Sequence, residues 1–141
     1  MKSKDSLTKV LAVIGTVLAW IPILFTLATA PGVSMESDGF PFDYLMPAEF
    51  FPAALAGTVL VTAAAILTNK RKWLFLSGVL AMCLFLGGGL LIAEKTGLAS
   101  GAIGPSGPFF NLVIGMIALY DLTLLGLCIA ALFLLKDLFA K

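Results

Sequence analysis

Polar and apolar residues separate along this chain into long blocks. Apolar runs occupy 10–30, 52–68, 73–93 and 109–135, and most charged residues fall between them. At a helical rise of about 1.5 Å per residue, the first and third runs extend about 32 Å, enough to cross a hydrocarbon core of about 30 Å. The second reaches about 26 Å and spans with Phe50 and Phe51 in the outer interface or with local thinning of the bilayer. The fourth, at about 40 Å, exceeds a crossing and is expected to tilt or to project. The pattern predicts an all-α fold: an integral membrane four-helix bundle over 1–141, a single transmembrane domain with outer loops at 31–51 and 94–108.

Local chemistry supports these limits. Pro52 and Pro108 open the second and fourth runs, where a missing N–H costs nothing because the first helical turn has no acceptor for it. Pro31-Gly32 ends the first run. Asn69 and the basic triplet Lys70, Arg71 and Lys72 make so short a link that runs two and three must be antiparallel neighbours. Pro22 lies inside the first run, where it removes the bond to the Leu18 carbonyl and predicts a kink.

Composition agrees on the solvent: the chain is 60% hydrophobic and 12% charged, with a mean hydropathy of +1.08. It contains no histidine, and its two cysteines, Cys83 and Cys128, lie within apolar runs. Histidine-ligated haem, zinc triads, Ser-His and Cys-His catalysis and a disulfide scaffold are thereby excluded. The net charge of +1 creates no field that would call for nucleic acid. No cofactor or metal is expected, and an enzyme ranks last because no nucleophile and base pair is visible.

Charge placement carries the orientation. Lys2, Lys4 and Lys9 precede the first run, Lys70, Arg71 and Lys72 lie between the second and third, and Lys136 and Lys141 follow the fourth. Only Lys95, beside Glu94, falls on the opposite side. Basic loops are retained in the cytoplasm, so both termini are expected there, in a plasma membrane and, given the short loops, a prokaryotic one. Ala28-Thr29-Ala30 imitates a signal-peptidase site, but the preceding apolar run exceeds the usual signal core of about 7–15 residues and Pro31 would follow the cut. Retention of the first helix is therefore expected.

The acidic outer loop mixes Asp43 and Glu49 with aromatic residues that favour the headgroup level. It is expected to lie on the interface; the sharper alternative makes Asp43 and Glu49 a cation-attracting mouth. No calcium-loop spacing is present. The second outer loop is glycine-rich and reads as a flexible connection.

Asp121 interrupts the fourth run near its middle. An aspartate at the centre of a membrane helix costs about 2.5–3.5 kcal/mol on an insertion scale, so it calls for a reason. At about 100° per residue, Phe110, Ile114, Ile117, Leu125, Cys128 and Leu132 share its face. Gly115, Leu119, Leu122, Gly126 and Ala130 form a separate side that is expected to make a close helix contact. Counting inward from the outer ends sets Asp121 level with Trp20, with Thr58 and Thr62, and with Cys83. The two threonines, four apart on one helical face, are the expected hydrogen-bond donors, with Tyr120 adjacent. Gly87, Gly88 and Gly89 predict either a close backbone approach or an opening of the third helix, with close packing preferred. The cysteines sit at different depths and are expected to be free.

No lysine or arginine lies within a run, so Asp121 has no counter-charge of its own there. It can exchange a proton or small cation, hold a basic side chain of a partner helix, orient a lipid-soluble ligand, or serve as a structural hydrogen-bonding acid. The expected role is a non-enzymatic subunit or accessory and assembly factor, working in the lipid bilayer as a homo-oligomer or with a larger membrane protein. The alternative is a small proton- or cation-coupled transporter built on Asp121, Thr58, Thr62 and Tyr120.

Overall fold

A computed structural model describes residues 2–29, 50–104 and 106–140, and in it each apolar run is a helix. These are α1 (Lys2–Thr29), α2 (Phe51–Thr68), α3 (Lys72–Thr96) and α4 (Pro108–Phe139). In hydrocarbon every backbone N–H and C=O must be bonded within its own segment, which a continuous helix achieves. All four helices are long and apolar enough to cross a membrane. The chain is an all-helical, multi-pass membrane protein.

Pro52, Pro108 and Asn69 mark helix ends as expected, α1, α3 and α4 extend past their apolar runs into charged residues, and Pro31-Gly32 lies outside the described residues. Proline occupies the first turn of both α2 and α4. Asn69 takes a left-handed conformation at φ 57° and ends α2, its N–H donating to the Ile66 carbonyl at 3.1 Å. Arg71, at φ 53°, starts α3, so the α2–α3 link is a tight hairpin. α1 runs through Pro22 as one continuous helix, and the Thr26 hydroxyl donates to the Pro22 carbonyl at 2.8 Å. The described part of the second outer loop begins with hydrogen-bonded turns. Gly97 caps α3 at φ 78°, and the Ala99 N–H donates to the Ala93 carbonyl at 3.0 Å.

Helices adjacent in sequence pack antiparallel, most extensively α1 on α2 and α3 on α4, while the α1–α4 and α2–α3 contacts close the ring. The α1–α2 seam owes its closeness to two glycines. A Cβ at Gly15 would sit 2.8 Å from the Gly57 carbonyl oxygen, and one at Gly57 would sit 2.7 Å from the Gly15 oxygen. Ala12 and Ala19 on α1 and Ala54, Ala64 and Ala65 on α2 are also buried. Large side chains divide between the two environments: Phe75, Met82 and Leu134 are buried between helices, while Leu80 is 70% exposed and Leu122 65%. The outward leucines suit a surface covered by lipid tails, and the α1–α2 seam rests on close backbone packing.

The helices meet in a fixed register. At one end the Lys9 ammonium lies 5.0 Å from the Phe139 ring centroid, and Arg71 Nε lies 3.6 Å from Asp137 Oδ2. The chain thus gathers its described basic side chains, except Lys95, at a single end. Further along, Cys128 Sγ donates to the Ala19 carbonyl at 3.4 Å, and the Phe51 and Tyr120 rings lie 6.3 Å apart. Following this register, α3 and α4 run about ten residues, about 15 Å, past the last described turn of α1 and the first of α2. Ala93, Val113 and Ile117 form a small separate core in that projecting hairpin. The length of α4 thus extends it past the described ends of α1 and α2.

Candidate functional site

Asp121 lies on the edge of α4, next to its buried face and only partly exposed. Tyr120 and Leu124, its neighbours in the helix, are buried in the central core with Ala19, Ala54, Met82, Leu86 and Cys128. The aspartate itself has no hydrogen-bond or ion-pair partner among the described residues.

The register corrects the expected neighbours. Phe51 pairs with Tyr120, so Asp121 stands level with the first turn of α2. Thr58 and Thr62 lie about 9 and 15 Å deeper. Their hydroxyls are already used: Thr58 Oγ1 donates to the Ala54 carbonyl at 2.9 Å and Thr62 Oγ1 to the Thr58 carbonyl at 2.7 Å. Neither reaches Asp121. The Cys128 contact with Ala19 likewise sets Asp121 level with Thr26 on α1, not with Trp20. Counting from the outer ends fails because α3 and α4 overhang the other pair. It succeeds for Cys83, since α3 and α4 project together: Gly88 meets Met116, and continuing that register brings Cys83 to the level of Asp121.

Along α4, Asp121 stands about 21 Å from Leu135, which lies toward the basic end of the bundle.

Gly115 and Gly126 do not make the expected contact within the chain. Both are exposed, and a Cβ at either would meet nothing within 4 Å. The close contact falls instead at Gly15 and Gly57. Gly15-x-x-x-Ala19 carries the small-residue spacing that marks such seams. The triplet in α3 also departs from expectation: the helix stays closed, Gly87 faces open space, and Gly88 accommodates the end of the Met116 side chain, not a neighbouring backbone.

Tyr120 is buried, and its ring is tilted 56° to that of Phe51. Trp20 Nε1 is a buried donor with no partner among the described residues, but its register places it about six residues deeper than Asp121. Cys83 and Cys128 are free, as expected. Asp43 and Glu49 lie outside the described residues. Among the described residues no cluster of acidic residues or cysteines could hold a metal ion.

What the arrangement offers is a half-buried carboxylate on α4, without a partner among the described residues, and, around the outer side of the same helix, two glycines that no described residue covers. Between them Leu122, Leu125 and Ile129 face outward. No known family model, curated protein or solved structure matches this chain.

Proposed function

We propose that this chain is a non-enzymatic subunit or accessory factor of a membrane complex and that α4 contacts its partner through the surface running from Asp121 to Gly126. Asp121 carries the reading: an acidic side chain within an apolar helix, without a partner among the described residues of its own chain. Intramembrane carboxylates ordinarily pair with another polar group or line a wet cavity. A polar or basic side chain on a neighbouring helix would satisfy it, and Gly115 and Gly126 would let that helix approach closely. The neighbour is a second copy of this chain or a larger membrane protein. Both termini are placed in the cytoplasm, on the strength of the basic end.

The test is the mass of the complex purified from membranes in mild detergent. Asp121→Asn retains hydrogen bonding and is expected to preserve a complex larger than the single chain, whereas Asp121→Leu dissociates it. A full-size complex in the Leu variant would remove Asp121 from the interface. A wild-type chain recovered solely as a monomer, including after cross-linking in the membrane, would overturn the subunit reading.

A further inference from the structure

We infer that the groove between α1 and the end of α4, at the basic end of the bundle, binds an anionic phospholipid. The groove has a volume of about 360 Å³ and is lined by Ser6, Lys9, Val10, Val13, Ile14 and Phe139. Its volume falls at the low end of the roughly 300–1,000 Å³ typical of ligand sites, suitable for a headgroup and the upper part of one acyl chain.

The lining divides by chemistry along the helix axis. Ser6 and Lys9 stand toward the helix start, at the basic end, and Val10, Val13 and Ile14 continue into the apolar run. That polarity matches a lipid, with phosphate outermost and hydrocarbon below. The groove faces outward, with Val10 50% and Ile14 48% exposed, so a lipid enters sideways from the bilayer.

Charge selects an anionic headgroup. The Lys9 ammonium rests 5.0 Å from the Phe139 ring centroid and makes no ion pair among the described residues, so its N–H donors remain available to a phosphate. Lys136, one turn before Phe139, is exposed and likewise unpaired among the described residues. Two carboxylates could compete at this end. Asp137 is engaged by Arg71 Nε at 3.6 Å and accepts from Lys70 Nζ at its carbonyl at 2.9 Å. Asp5 is exposed and does not line the groove. Basic clusters immediately beside membrane helices attract anionic lipids by this chemistry. The inference rests on the membrane reading and is independent of any partner at Asp121.

The test is native mass spectrometry of the full chain in mild detergent, titrated with phosphatidylglycerol or with phosphatidylcholine of the same acyl chains. Phosphatidylglycerol is expected to be retained preferentially. Lys9→Gln should weaken its retention about fivefold, the effect of one cation near an anionic headgroup. Ile14→Trp, which fills the apolar part of the groove, should abolish it. Lys72→Gln removes the same charge at the same end but outside the groove, and should leave retention unchanged. The inference is overturned if Lys72→Gln weakens retention as much as Lys9→Gln, which would mean a diffuse field. Equal retention of the two lipids, or displacement of phosphatidylglycerol by inorganic phosphate alone, would overturn it too.

Discussion

Replacing Gly57 with alanine probes what holds α1 to α2. The added Cβ would lie 2.7 Å from the Gly15 carbonyl oxygen and 2.9 Å from Ala19 Cα, and would run into the Ala19 amide nitrogen. All three are backbone atoms, so no side-chain rotation relieves the overlap. The helices must separate by about half an ångström or more, and such a gap forfeits roughly a quarter to a half of each dispersion contact across the seam. Overpacking costs about 1–3 kcal/mol, and a collision with rigid backbone belongs at the upper end. Alanine recovers about 1 kcal/mol over glycine as a helix former. The balance is a net loss of about 1–2 kcal/mol. Gly126→Ala gains the same helix propensity with nothing within 4 Å to strike. Unfolding of the monomer in mixed micelles of rising dodecyl sulfate content, followed by far-ultraviolet circular dichroism, measures both. Equal stability of Gly57→Ala and Gly126→Ala would refute the seam.

Three further outcomes follow from the same geometry. Asn69→Val places a β-branched residue at φ 57° and should cost about 1–2 kcal/mol in the same assay, while Asn69→Gly should not destabilise. Asp137→Asn should cost less than about 1 kcal/mol, because the Arg71–Asp137 pair has side chains 48% and 41% exposed; a larger loss would show that the ion pair is more than a surface contact. Trp20→Phe removes a buried N–H that has no partner among the described residues, and relief of that donor, worth about 1–3 kcal/mol, should offset much of the lost packing. A net loss above about 2 kcal/mol would show that the indole N–H is satisfied.

Much of the fold can be read directly from the residues. Run lengths set the number of helices, and Pro52, Pro108 and Asn69 place three of their ends, because membrane insertion and helix capping depend on local composition. The charged ends were less legible: α1 starts at Lys2 and α4 continues to Phe139, since a helix does not stop where the hydrocarbon does.

The candidate site was only partly legible. Asp121 stands out in the sequence because a charge in an apolar run is costly wherever it faces. Its surroundings do not, since they depend on register. Helix length alone gives no vertical offset, and the overhang of the α3–α4 hairpin shifts Thr58 and Thr62 out of reach and brings Thr26 level. Which small residues form a seam was likewise decided by tertiary structure: Gly15 and Gly57 meet backbone, while Gly115 and Gly126 meet nothing. The sequence by itself determined the solvent, the number of helices and which end is basic, because these follow from transfer energies and charges that add along the chain. Depth, facing and contact belong to the fold, because they arise where helices of unequal length dock together, and no single helix carries that information.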